Sequence, residues 1–201
     1  VPISNPYLLG TATDSGVSSL TITPSQNTAA GDTIIVATDA DLQPNSLAEP
    51  QSVTDTAGNV YKEAPFSVTN NPFVSVWYSS NAAALTTAST ITVTWTDTSD
   101  INAIAVGCTG LATGNAVDKF VSNYTTAGSL SLTTGPLGLA NELAIAYWSS
   151  RQAQGAPQIS PDWNSFAQFQ GAANTHWDNL AWKITDTADP LTAVATTPAA
   201  G

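Results

Sequence analysis

His176 is the single histidine of the chain and lies in Asn174-Thr175-His176-Trp177-Asp178. On a strand, alternation puts His176 and Asp178 on one side, a carboxylate beside an imidazole, as in the base and orienting half of a Ser-His-Asp arrangement. The nucleophile's half is missing, because no Gly-x-Ser-x-Gly elbow occurs. His176 therefore reads as a hydrogen-bonded structural residue. Among the fifteen acids, Glu49, Glu63 and Glu142 stand apart from the loop aspartates. A glycosidase needs two carboxylates at a set separation, and Glu142, which opens a strand, reads as an ordinary solvated acid. No catalytic residue emerges, and the expectation is a protein that is not an enzyme.

Oxygen ligands are the next resource. Zinc is not expected, since one cysteine and one histidine cannot close a tetrahedral site. Calcium takes oxygens, and Asp39-Ala40-Asp41 and Asp97-Thr98-Ser99-Asp100 both follow strands, so Asp39, Asp41, Asp97 and Asp100 are candidate ligands for a structural calcium. No other cofactor is expected. Aromatic rings supply a third chemistry. Trp163 follows Pro161-Asp162 in a loop, and Trp177 stands between His176 and Asp178. Exposed rings of this kind stack on sugars while a carboxylate bonds the hydroxyls, which makes Trp163, Trp177 and Asp178 the candidate sugar contacts. Cys108 ends the apolar run Ala103-Ile104-Ala105-Val106-Gly107 with no basic neighbour, and reads as a small buried hydrophobe.

The elements that must position these residues are strands. In Ser89–Thr96 the residues Ile91, Val93 and Trp95 fall on one face and Thr90, Thr92, Thr94 and Thr96 on the other. Similar alternation runs through Leu20–Thr23, Leu130–Thr133, Leu180–Thr185 and Leu191–Thr196. The more apolar Thr33–Ala37 and Leu143–Trp148 suit central strands covered on both faces. Turn signals at Ala30-Gly31-Asp32, Asp55–Asn59 and Thr134-Gly135-Pro136 separate them. Asn164–Ala173 is the one stretch where a short helix is conceivable, ended by Gly171 and Asn174. These signals predict an all-β fold: an antiparallel β-sandwich, jelly-roll-like, of about ten short strands with little helix. The whole of 1–201 reads as one domain, with 1–10 an extended N-terminal segment.

Composition narrows the partners. Only 9% of the residues are charged, fifteen acids face four bases, and the net charge is −11. Four bases spread along the chain cannot track a phosphate backbone, so nucleic acid is excluded, and an anionic membrane surface is repelled. There is no apolar run long enough to span a bilayer, so no membrane insertion is expected. Polarity rests instead on 29 threonines and 20 serines, a composition that fits an extracellular or surface location. The lack of methionine, initiator included, reads as a processed chain.

The order of the motifs carries a resemblance. Ala30-Gly31-Asp32, then Val53–Tyr61, Val76–Ala82, the threonine-alternating strand around Val93, Gly107–Leu111, Ala116–Asp118 and Asn141–Ala146 resemble a jelly-roll-like β-sandwich module of secreted and surface bacterial proteins and phage structural proteins. The resemblance implies a module that binds, adheres or builds a surface layer, and it supplies no catalytic residues. Such modules finish with a further aromatic-apolar strand, whereas this chain ends in Thr196–Gly201, so the expectation is either a trimmed chain or a sheet completed by something else. Val1, Ile3, Tyr7, Leu8 and Leu9 of the Pro-bearing N-terminal segment are the candidate donor-strand residues. The reading is a non-enzymatic extracellular assembly subunit of a filament, surface layer or virion that pairs with identical copies as a homo-polymer. The alternative is a carbohydrate-binding or adhesive module whose partners are glycans.

Overall fold

The computed structural model describes the chain except for residues 1, 5, 42–47, 66–72, 115, 126–127, 152–154, 173–175 and 198–201. Among the described residues there are twelve strands and no helix, and every strand pair is antiparallel. They are β1 (Tyr7–Ile22), β2 (Thr33–Asp41), β3 (Pro50–Asp55), β4 (Lys62–Glu63), β5 (Phe73–Ser79) and β6 (Ile91–Cys108). The second half adds β7 (Ser129–Thr133), β8 (Leu143–Arg151), β9 (Gln158–Ile159), β10 (Asn164–Gln170), β11 (His176–Ile184) and β12 (Thr192–Thr196).

Three sheets result. The largest runs β1-β6-β2-β5-β4, with β3 also on β6; the others are β10-β11-β8 and β7-β12-β9. The first is bent, because β6 is eighteen residues long and changes partner part-way. Its first part, Ile91–Trp95, pairs with β3, and its second, Asp100–Cys108, pairs with β2, while β1 follows both through register shifts near Asp14, Val17 and Ser19. Bulges of this kind raise the local twist and let a sheet fold over. Leu20, Ile22, Val93 and Trp95 thereby pack with Ile34, Val36 and Ala105 in one core, where Phe73 meets Trp95 edge to face.

The far face of β2, β5 and β6 makes a second core with the β10-β11-β8 sheet, in which Ile35, Ala37, Ile104 and Val106 meet Leu180 with Ile145 and Tyr147 packed alongside. The other face of β8, carrying Ala146 and Trp148, meets Ala193 and Ala195 of β12 in a third. This stacking accounts for the two halves of β6. Where water covers one face, threonine alternates with apolar residues; from Ser99 to Cys108, covered on both faces, every residue is buried. Trp77 and Tyr78, adjacent on β5, accordingly serve the first and second cores.

Asn164–Gln170 is a strand and not a helix. β11 offers it a ladder from Asn164↔Trp182 to Gln170↔Trp177, and that pairing overrides a weak local preference. Gly171, expected to end a helix, follows the last residue of this strand.

Candidate functional site

The distinctive chemistry lies between the first two sheets, at one end of the second core. On β2 the inward row Ile35, Ala37 continues to Asp39, and on β6 the inward row Val106, Ile104 continues to Asn102, which is the register partner of Asp39. The hydroxyl of Thr38 donates to the Asn102 main-chain carbonyl at 2.6 Å and fixes that pairing. From the opposing sheet, Leu180 of β11 is followed in the same row by Asp178 and His176, and the neighbouring β8 supplies Tyr147 and Ser149, the partners of Leu180 and Asp178. Two apolar rows facing each other thus both turn polar at the same level.

Asp39, Asn102, His176 and Asp178 are all inaccessible to solvent. His176 Nε2 lies 3.2 Å from Asp39 Oδ2 and 3.8 Å from Asp178 Oδ2. Ser149 Oγ donates to Asp39 Oδ2 at 2.6 Å, Tyr147 Oη donates to Asp178 Oδ1 at 3.0 Å, and Asn102 Nδ2 donates to Asp178 Oδ2. Asp39 Oδ1 and Asn102 Oδ1 are buried with no hydrogen-bond partner among the described residues. The close approach of Gly171 leaves room for the imidazole: a Cβ there would stand 3.0 Å from His176 Cε1 and 3.3 Å from both ring nitrogens.

The electrostatics follow from burial and proximity. Burial raises the Asp178 carboxyl well above its ordinary range, and the Asp39 charge adds to this against the pull of His176, Asn102 and Tyr147. Burial opposes charge on His176, yet the field and hydrogen bond of Asp39, with Asp178 and Asp41 behind it, outweigh this and raise the imidazole to about 9. Tyr147 is raised well above its ordinary value, first by burial and then by the two carboxylates. The three side chains Asp39, His176 and Asp178 also bring their ligand atoms within 4.8 Å of one another, a set able to hold a metal ion.

The calcium candidates divide. Asp39 and Asp41 share a row on β2, and Asp41 pairs in register with Asp100 as Asp39 does with Asn102. Asp100 Oδ1 is taken by Ser15 Oγ at 2.6 Å. Asp97 stands apart on the exposed stretch of β6, its carboxylate accepting from the Thr98 N–H.

The sugar candidates do not converge. Asp178 is sealed between sheets, and Trp177, one residue away on the same strand, faces the opposite side. Trp163 packs against the third core and donates its ring N–H to the Thr192 carbonyl. Among the donor-strand candidates, Val1 lies outside the described residues. Tyr7, Leu8 and Leu9 are built into β1 of their own chain, Leu9 inside the first core and Tyr7 over Gly107. Ile3 sits where the chain passes Gly110, beside the Ser4 N–H bond to the Thr109 carbonyl. Cys108 is buried and its thiol is pushed up to about 11 by burial, which makes it inert.

Asn102, Tyr147 and Ser149 join Asp39, His176 and Asp178 without a motif to announce them. The available signal was a polar residue interrupting an apolar run, as Asp39 does in Thr33–Ala40 and Asn102 does in Ile101–Val106.

A second feature is a cleft of about 1290 Å³ that touches every residue from Leu143 to Arg151. Successive side chains of a strand point to opposite faces, so a space in contact with all nine runs along the edge of β8 and not over one face. That edge carries no strand among the described residues, since β8 ends its sheet. Val76 and Tyr78 wall the cleft on one side, Leu130, Leu132, Ala193 and Ala195 on the other. Comparison of the chain with family models, curated proteins and solved structures finds no match.

Proposed function

We propose that this chain is a structural assembly module that accepts an extended segment of a second copy along the free edge of β8. One observation carries the reading. Of the five large apolar side chains exposed on the described surface, four line this cleft: Phe120, Val121, Tyr124 and Leu139. Contiguous exposed apolar surface marks a protein-protein contact, and an open strand edge beside it marks the mode, since unpaired N–H and C=O groups accept a further strand. An added strand would run about 30 Å beside nine residues at roughly 3.3 Å each. Its alternate side chains would enter the second and third cores, so it must be apolar on both faces, as the strands of this chain at Thr33–Ala37 are.

Charge favours a neutral occupant. The cleft carries Asp118, Lys119, Glu142 and Arg151, two of each sign, although the chain as a whole has −11. The N-terminal segment is not the donor on this reading, because Tyr7–Leu9 are used in β1. A secreted or surface location, as the motif order implies, is part of the same proposal.

Light scattering behind gel filtration over a concentration series tests it, with the paired substitution Phe120→Glu and Val121→Glu. Both side chains are exposed, so the variant should keep the fold, which circular dichroism checks. Wild type should associate and the variant should elute as a monomer. A wild type that stays at 20.6 kDa at every concentration would overturn the proposal.

A further inference from the structure

We propose that Asp39, His176 and Asp178 form a buried centre for one divalent transition-metal ion of the zinc or manganese class, which ties β2 of the first sheet to β11 of the second. Zinc bonds nitrogen and oxygen at about 2.0–2.1 Å, which in a tetrahedral site sets ligand atoms roughly 3.3 Å apart. The observed separations of His176 Nε2 from the two carboxylate oxygens, 3.2 and 3.8 Å, bracket that value.

The second observation is independent of the cluster's composition. Asp39 Oδ1 and Asn102 Oδ1 are wholly buried and have no partner among the described residues. A lone carboxylate oxygen out of water normally receives a hydrogen bond, because leaving it bare is costly. A cation held by both Asp39 oxygens would satisfy Oδ1 while using Oδ2, the oxygen 3.2 Å from His176 Nε2. Asn102 donates its amide to Asp178, the second carboxylate of the set.

The surroundings are those of an oriented site. Ser149 holds Asp39 and Tyr147 holds Asp178 from outside the cluster, as outer partners hold the ligating carboxylates of metal centres. Two carboxylates neutralise a divalent ion, so the loaded cluster has no net charge in a place where net charge is expensive. An imidazole ligand and short separations favour zinc or manganese over calcium, which takes six to eight oxygens at about 2.3–2.6 Å. One cysteine and one histidine cannot close a zinc site by themselves; carboxylates fill the remaining positions here. Asp41, half-buried and next in the row on β2, adds a third acid whose field reaches His176.

The test uses the full-length chain refolded separately with ZnCl2, MnCl2, CoCl2 and CaCl2, then desalted and assayed for metal by mass spectrometry. Wild type should retain one zinc, manganese or cobalt per chain and no calcium. His176→Gln and Asp39→Asn should retain none, and Tyr147→Phe should bind about 10–100-fold more weakly. Should the ligand variants fail to fold, the visible spectrum of the wild type with cobalt still decides, since an N/O site of low coordination gives intense bands that aqueous cobalt lacks. Substoichiometric metal in wild type, calcium alone, an aqueous cobalt spectrum, or full retention by folded His176→Gln would each overturn the proposal.

Discussion

Strand β2 has a buried aspartate near each end, and the two are satisfied in opposite ways. Asp32, one residue before the strand, accepts the Tyr7 hydroxyl at 2.7 Å and the Ala29 N–H at 2.9 Å on one oxygen, and the Thr109 hydroxyl at 2.7 Å on the other. Every donor is neutral and no second acid stands near in that network. Burial pulls its carboxyl upward, but the bonds from Tyr7, Thr109 and Ala29 prevail and hold it below its ordinary value. Asp55 is handled alike, by the N–H groups of Ala57 and Asn59, the Asn59 amide and the Tyr61 hydroxyl. Asp39 has one filled oxygen, one bare oxygen, and a second carboxylate for a neighbour. A buried acid surrounded by neutral donors can close a loop unaided; two acids sharing one site require a cation, whether a proton on imidazole or a metal.

The largest effect should come from removing that cation's holder. His176→Ala leaves Asp39 and Asp178 facing each other out of water, and breaking a buried ion pair in this way costs about 3–5 kcal/mol. Urea unfolding should show the loss, and Asp178→Asn added to His176→Ala should recover part of it by removing one of the two acids. If His176→Ala unfolds within about 0.5 kcal/mol of wild type, the two ends of β2 do not differ as described.

Asp32→Ala should cost less, about 1–3 kcal/mol, because it strands neutral donors and no charge. The same denaturation series measures it. A loss equal to that of His176→Ala would erase the contrast between neutral and ionic satisfaction.

Gly171→Ala is smaller again. The added methyl comes to 3.0 Å from the His176 ring, so the imidazole must shift by a few tenths of an ångström, and overpacking of this size costs about 1–2 kcal/mol. Gly107→Ala, which would meet the Tyr7 ring at 2.5 Å beside Asp32, is the matched control at the other end and should cost more. A greater loss at Gly171 would mean that the imidazole cannot yield at all.

Much of this was legible in the residues, but unevenly. The alternation of Ile91, Val93 and Trp95 with threonines, and the apolar runs at Thr33–Ala37 and Leu143–Trp148, marked one-faced and two-faced strands where β6, β2 and β8 lie. Asp97–Asp100 reads in the sequence as following a strand and lies inside one, because bulged pairing with β1 carries β6 across it. The placing of His176 and Asp178 on one side of a strand followed from alternation, and Asp39 stood out as an acid at a strand's end. Their meeting did not follow. It depends on which face of which sheet stacks on which, and on the level at which two rows turn polar together, and no local pattern encodes either. Phe120, Val121 and Tyr124 gave no signal, since a loop's apolar side chains acquire meaning only from the open edge beside them.

The subtlest contrast is in pH dependence, and its sign differs between the two ends. Asp32 titrates below its unfolded value of 3.8, so the folded state binds its proton more weakly than the unfolded chain does. The stability it contributes is complete above that value and disappears as pH falls through the folded one. Asp178 in metal-free protein titrates above 3.8, so its protonated form is favoured by folding, and its contribution is present in acid and lost as pH rises through the folded value. Asp32→Asn and Asp178→Asn each delete one titration. The urea midpoint of wild type minus Asp32→Asn should therefore shrink between pH 7 and about pH 3, while wild type minus Asp178→Asn should move in wild type's favour over the same interval. Parallel changes in the two differences would show that both acids are held by the same kind of partner, and a zinc-loaded sample in which only the second difference reverses would identify the Asp39 end as the one a metal occupies.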